Sequence, residues 1–389
     1  MSLNELPSAE RMHIVFFGRR NVGKSSVINA VTGQNLSIVS PVKGTTTDPV
    51  KKAMELLPLG PVVIVDTAGI DDEGELGKMR IKKSMEALRS ADIAVLVTDS
   101  EQGKYEKELT EIFKKQNVPY IICYNKNDIK SYDIKNENEI SVSAETGDGI
   151  GRLKELIGRF AVKKTKPLVS DLISRGDTVI LVTPIDEAAP KGRLILPQQM
   201  VLRDVLDSHA MALVLQDGEL EKALNTLSAP PKLVICDSQV FGKVAKIVPE
   251  SIYLTSFSII MLRYKLGIKA AIDGSKALDE LKDGDKILIS EGCTHHRQCG
   301  DIGTVKLPKW IEDFSGKKPR FAFTSGGEFP DNLKDYSLVI HCGGCMLNDA
   351  AMRSRMEICI NSGVPFTNYG VVISKIHGIL ERSLEIFEK

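Results

Sequence analysis

The chain has 389 residues, 42% of them hydrophobic and 26% charged, with Lys+Arg and Asp+Glu both at 51. That length exceeds one ordinary core, so two or three domains are expected, and the composition excludes a disordered chain. A formal net charge of zero removes any general electrostatic drive toward nucleic acid or an anionic membrane, and neither is expected as a partner. The first residues, MSLNELPSAERMHIVFFG, carry acids and no long apolar stretch, and no run of 18 apolar residues follows. Neither a secretory signal nor a membrane span is expected, which points to the cytoplasm.

From residue 12 to 160, the runs HIVFFG, VVIVDTAG, IAVLVTD and YIICYNKND are β-branched and apolar and end in Gly or Asp. Continuous apolar runs of this kind predict strands buried on both faces of a parallel sheet. GIGRLKELIGRF closes the segment with Ile150, Leu153, Ile157 and Phe160 at helical spacing. Residues 161–170, with their lysines and proline, are expected to be a linker. Strands are predicted at DTVILVTPID, MALVLQ and PKLVICD, with a helix at QQMVLRDVLDSHA. TSFSIIMLRYKLG reads as a buried helix with Thr255 or Ser256 at its N-cap. In the last segment, DGSKALDELKDGD is expected to be a capped helix, and KILISEG, FAFTSG and YSLVIHCG strands. The fold class is therefore α/β, with expected divisions at 1–160, 171–265 and 266–389.

GRRNVGKS, Gly18 to Ser25, fits G-x-x-x-x-G-K-[ST] between a strand and a helix. Glycines let backbone N–H groups curl around a phosphate, Lys24 reaches the β/γ-phosphates, and the Ser25 hydroxyl ligates Mg²⁺. DTAG puts Asp66 at the Mg²⁺ shell and the Gly69 N–H at the γ-phosphate. In NKND, the Asp128 carboxylate suits the N1–H and N2–H₂ edge of guanine, a donor pair that adenine lacks. SAE, Ser143 to Glu145, follows as the loop over the base.

These four stretches, in this order, resemble the signatures of small GTPases. The resemblance implies GTP contacts at Gly18, Asn21, Val22, Gly23, Lys24, Ser25 and Ser26, then at Asn125, Lys126, Asp128, Ser143 and Ala144. GTTTD, Gly44 to Asp48, is similar to switch I of the TrmE–Era–EngA group, which makes Thr46 the Mg²⁺ threonine, in a register shared with Thr45 and Thr47. Lys24, Thr46, Asp66 and Gly69 are then the catalytic set. In that group an Asn at the position of Asn21 ligates K⁺, while Ile70 stands where other GTPases carry a water-orienting Gln. GTP hydrolysis stimulated by K⁺ is the expectation, against the plainer reading of Asn21 as a turn-former.

Five of the seven cysteines lie in the last hundred residues. CTHH places Cys293 and His295 after one predicted strand, and HCGGC places His341, Cys342 and Cys345 after another. Cysteines clustered in a chain without an export signal suggest a metal before a disulfide. On spacing alone, a Cys₃His zinc site and a [4Fe–4S] cluster are equally open.

Cys-x-His followed by His-Cys-x-x-Cys behind a TrmE-type GTPase resembles the HydF family, the GTPase maturation factors of [FeFe]-hydrogenases. PIDEAAPKGRLILPQQ and TSFSIIMLRYKLG extend the resemblance over nearly the whole chain. It implies a P-loop GTPase domain, a central α/β dimerisation domain and a C-terminal α/β cluster domain. Cys293, Cys342 and Cys345 would ligate a [4Fe–4S] cluster, with His341, His295, Glu291 or solvent at the fourth iron. It further implies a homodimer that takes a diiron subcluster precursor made with two radical-SAM maturases and passes it to apo-[FeFe]-hydrogenase. The alternative is an Era-like, RNA- or ribosome-associated GTPase with a structural zinc; the neutral charge and the lack of a basic, aromatic tail oppose it.

Overall fold

The computed structural model describes residues 8–33, 49–57, 59–69, 75–160, 166–185, 194–292, 301–330 and 332–388. The chain divides into two compact units, Met1–Lys164 with Asn348–Ser354, and Thr165–Leu347 with Arg355–Lys389.

In the first unit, β1 (Met12–Phe17), β2 (Val50–Leu56), β3 (Gly60–Asp66), β4 (Ile93–Thr98), β5 (Tyr120–Tyr124) and β6 (Glu139–Ser141) pair in the order β2-β3-β1-β4-β5-β6. Only the β2–β3 pairing is antiparallel among them. Helices α1 (Lys24–Thr32), α2 (Glu75–Leu88), α3 (Lys104–Lys115) and α4 (Ile150–Phe160) cover the sheet. Side chains alternate along β1: Ile14 and Phe16 pack with Val27 of α1 and Ile157 of α4, while Val15 and Phe17 pack with Leu88 of α2 and Phe113 of α3. The period of two thus feeds two separate apolar cores, which is why these strands read as unbroken hydrophobic runs.

The second unit holds two parallel sheets. β7 (Thr178–Val182), β8 (Met211–Leu215), β9 (Leu233–Cys236) and β10 (Tyr253–Ser256) pair in the order β10-β9-β7-β8. β11 (Lys286–Ser290), β12 (Arg320–Thr324), β13 (Leu338–His341) and β14 (Phe366–Asn368) pair in the order β12-β11-β13-β14. The unit's helices are α5 (Leu196–Asp207), α6 (Leu220–Thr226), α7 (Phe241–Ile247), α8 (Phe257–Lys265), α9 (Lys269–Ser275), α10 (Leu307–Ser315), the part of α11 (Asp349–Asn361) from Arg355 onward, α12 (Tyr369–Ile376) and α13 (Leu380–Leu384). Ile180 and Val234 of one sheet share an apolar core with Ile287 and Val339 of the other, so the two sheets are covered jointly.

The strands expected from apolar runs are all present, and Ser256 caps α8 by accepting the Ile259 N–H at 3.3 Å. One expectation is overturned. DGSKALDELKDGD is not itself a helix; α9 starts earlier and ends at Ser275, where a single 3₁₀ turn, Lys276–Leu278, takes over. α9 packs closely on β14 near this boundary. A Cβ on Gly274 would collide with the carbonyl oxygen of Phe366, a contact only glycine avoids.

Gly274→Ala is accordingly expected to destabilise the second unit by about 2 kcal/mol, the scale of core overpacking, although alanine favours an isolated helix by about 1 kcal/mol. Urea denaturation of the full chain checks this; a midpoint equal to or above the parent's would contradict it.

Candidate functional site

Parallel strands bring their carboxyl ends to one rim, where ligand sites form. On the first sheet, Phe17 pairs with Leu96 and Phe16 with Asp66, so the loops after β1, β3 and β4 leave the sheet together. Gly18 begins the first of these loops, and a Cβ there would meet the Val97 carbonyl oxygen at 2.6 Å. Asn21 and Gly23 both take left-handed φ, 63° and 85°, and curl the chain into the N-terminus of α1. Such a curl points successive N–H groups inward, an anion cradle. Lys24 Nζ and Ser25 Oγ both reach the Asp66 carboxylate, the latter at 3.3 Å. The donor set expected for a triphosphate and its Mg²⁺ is therefore assembled at one point.

Asn125 joins the two ends of this site. Its amide donates to the Val22 carbonyl at 3.0 Å and its side-chain oxygen accepts the Ala144 N–H at 3.1 Å. Lys126, itself at φ 66°, donates to Asp99 at 2.6 Å and to the Asn21 carbonyl at 3.2 Å. Asp128 is exposed beside this cluster, and Ser143 is buried with its hydroxyl accepting the Thr146 N–H. Sequence reading missed Asp99: a lone acid after a strand carries no signal until Lys126 is placed next to it. Val22 is buried, Ser26 exposed and Gly69 half-buried on the same rim. The expected switch I residues, Thr45, Thr46 and Thr47, and Ile70 lie outside the described residues.

The second candidate lies on the rim of the last sheet. Ser290 of β11 pairs with His341 of β13, so Glu291 and Cys342 leave the sheet as neighbours. Cys342 is half-buried and its sulfur accepts backbone N–H groups from Gly292 at 3.1 Å and Gly344 at 3.3 Å. Two such donors orient the sulfur, as backbone N–H groups do around metal-bound thiolates. Gly344 makes this possible with φ 63°. Burial raises the Cys345 thiol, opposed by the positive charge of Lys265. Cys123, Cys236 and Cys359 are core residues; burial pushes Cys123 and Cys359 up to about 12. Cys293, His295 and Cys299 lie outside the described residues, and among those described no group of three ligating side chains is gathered.

His341 lies under the cysteine turn, held by protein partners on both ring nitrogens. It is 0% exposed, its Nδ1 donates to the Cys342 carbonyl at 2.8 Å, and its Nε2 accepts from Arg355 at 2.8 Å. Burial, with the Arg355 charge second, lowers it to about 3. Both ring nitrogens thus have protein partners in this structure. Glu291 differs: Tyr369 donates its hydroxyl to one carboxylate oxygen at 3.2 Å, and a carboxylate has several acceptor positions. Arg355 also escaped sequence reading, since nothing separates a buried arginine from a solvated one in a helical stretch.

Comparison with known proteins follows this division. Residues 168–266 match the hydrogen maturase F dimerization domain, and residues 269–386 match the hydrogen maturase F tetramerization domain. The chain belongs to the hydrogen maturase F family. Residues 13–126 match a GTPase family described as 50S ribosome-binding. The tRNA modification GTPase MnmE of Clostridioides difficile (strain 630) is 33% identical over 163 residues, 40% of this chain and 35% of the relative. GTPase Der of Wolinella succinogenes is 37% identical over 174 residues, 40% of this chain and 36% of the relative. The chain thus spans about a third of the length of these curated relatives. A solved structure of Aquifex aeolicus Era bound to GDP·AlF4⁻ is 17% identical, covering 60% of this chain and 97% of that one at a TM-score of 0.34.

The GTPase domain offers a direct check on Asn125. Asn125→Ala removes both hydrogen bonds that join the phosphate loop to the base loop, and is expected to cost about 2 kcal/mol of nucleotide affinity, roughly 30-fold in Kd. Fluorescent GDP titration measures it; a change under about threefold would show the link to be dispensable.

Proposed function

We propose that this chain is a GTP-hydrolysing scaffold that carries a [4Fe–4S] cluster and delivers a diiron subcluster precursor to apo-[FeFe]-hydrogenase. The observation that carries this reading is the Cys342 turn: a glycine-shaped C-x-x-C at the end of β13, with two backbone N–H groups on the Cys342 sulfur, beside the end of β11 that leads into Cys293. Cys342, Cys345 and Cys293 would hold the cluster, which supplies an iron with an exchangeable fourth position. Candidates for that position are His341, which is held by Arg355 and Cys342 in this structure, His295, Glu291 or solvent. An exchangeable site suits cargo that must arrive and leave. The precursor would come from two radical-SAM maturases.

Ser25 and Asp66 would hold Mg²⁺, with Thr46 from switch I, and the ion neutralises phosphate charge. Lys24 stabilises the charge that grows on the transferred phosphoryl group, and the Gly69 N–H holds its oxygen. Hydrolysis serves here as a switch: the γ-phosphate orders the switch loops, and its loss releases them. In the proposed division, residues 1–160 are the switch, 171–265 the dimerisation part and 266–389 the cluster part. Dimerisation and tetramerisation domains make the family oligomer-forming. Edge strand β8 exposes Met211 and Val214, apolar side chains that suit self-association.

Anaerobic purification tests the cluster. About four irons per chain and a broad visible absorption are expected, both lost in Cys342→Ser. A colourless chain with stoichiometric zinc would defeat the proposal and favour a zinc-bearing, RNA-associated GTPase.

Asn21 supports a further element, cation dependence, because its left-handed backbone holds it at the outer edge of the phosphate loop with its side chain exposed. GTP turnover is expected to be faster in K⁺ than in Na⁺ and to lose that preference in Asn21→Ala. Equal rates in the two buffers would sink the idea.

A further inference from the structure

The segment TSFSIIMLRYKLG lies outside the nucleotide and cysteine motifs, and its face toward the cysteine turn has no assigned task. Within α8, Ser258, Met261 and Lys265 recur at helical spacing and so share one face. That face runs along the turn. A Cβ on Gly343 would lie 3.7 Å from Ser258 Oγ and 3.9 Å from Met261 Cβ. One helical turn further on, Lys265 Nζ donates to the Gly344 carbonyl at 2.8 Å and to the Leu347 carbonyl. These two carbonyls bracket Cys345, and the N–H of the same Gly344 points at the Cys342 sulfur.

Lys265 is only 4% exposed. Lysines are almost never buried to this degree without strong compensation, because the ammonium loses its hydration. Carbonyl dipoles compensate here, together with the negative end of α8, whose last residue is Lys265. The charge acts on Cys345 and His341, the residues on either side of the turn. A thiolate site that accepts an electron gains negative charge, and a fixed cation at the turn favours the reduced state.

We propose that Lys265 is the positioning residue of the Cys342–Cys345 turn and the fixed counter-charge of the metal site there. The positioning role stands on the hydrogen bonds alone; the counter-charge role rests on the cluster reading above. Lys265→Met keeps the apolar stem and removes charge and donors together, whereas Lys265→Arg keeps the charge on a larger head.

Two measurements on the full chain separate these roles. Amide hydrogen exchange of the cluster-free chain is expected to quicken about tenfold at residues 343–347 in Lys265→Met, with the rest of the second unit unchanged. Exchange at the parent's rate would overturn positioning. Should Lys265→Met fail to fold, Lys265→Arg decides, with faster exchange confined to the same residues expected and parent-like exchange overturning it. On the iron-loaded chain, EPR-monitored titration is expected to give Lys265→Met a more negative midpoint potential than the parent, with Lys265→Arg between the two. A parent-like potential at full iron occupancy would overturn the counter-charge and leave the cluster reading intact. A parent chain that binds no iron would overturn both of these, while the exchange experiment still decides positioning.

Discussion

Parallel pairing of β11 with β13 sets Ser290 opposite His341, so the residues after each strand emerge side by side. The same constraint in the first sheet sets Phe17 opposite Leu96 and brings the loops after β1, β3 and β4 together. The phosphate loop, Asp66, Glu291 and Cys342 depend on that alignment. A slip of one residue would carry each strand's side chains to the opposite face and would separate these loop ends. Both candidate sites are therefore products of register, which the buried Val, Ile and Leu side chains enforce.

What lies on the rims is mostly backbone. Gly18, Gly23 and Gly344 are present because the chain must approach a carbonyl or turn left-handed. N–H groups then do the binding work: toward phosphate in one site and toward the Cys342 sulfur in the other. Side chains of charge, Lys126 with Asp99 and Lys265 with two carbonyls, hold those backbones in shape. Arg355 does the same for His341, which becomes a strut under the cysteine turn.

Reading the sequence recovers the features that are local. Apolar runs give the strands that are buried on both faces, and the phosphate loop is visible because its glycines and lysine lie within eight residues. β2 escapes because its two lysines and exposed pattern belong to an edge strand, which tolerates charge on one side. β6 and β14 have three residues each, too few for any period to show. The end of α9 packs on a carbonyl of β14, far along the chain, so no nearby residue announces that contact. Lys265 and Arg355 look solvated in a one-dimensional reading, since only tertiary contacts at long separation bury them. The partners of His341 come from its own neighbour and from a helix beyond the turn, and the spacing announces neither.

Asn125 spans the phosphate loop and the base loop with one amide group. That makes the two ends of the guanine-nucleotide pocket a single mechanical body. The entropy of ordering one end relative to the other is lost when the domain folds, not when nucleotide arrives. Nucleotide therefore meets a phosphate loop and a base loop that are already joined, and a nucleoside, which lacks the phosphates, would engage one end only.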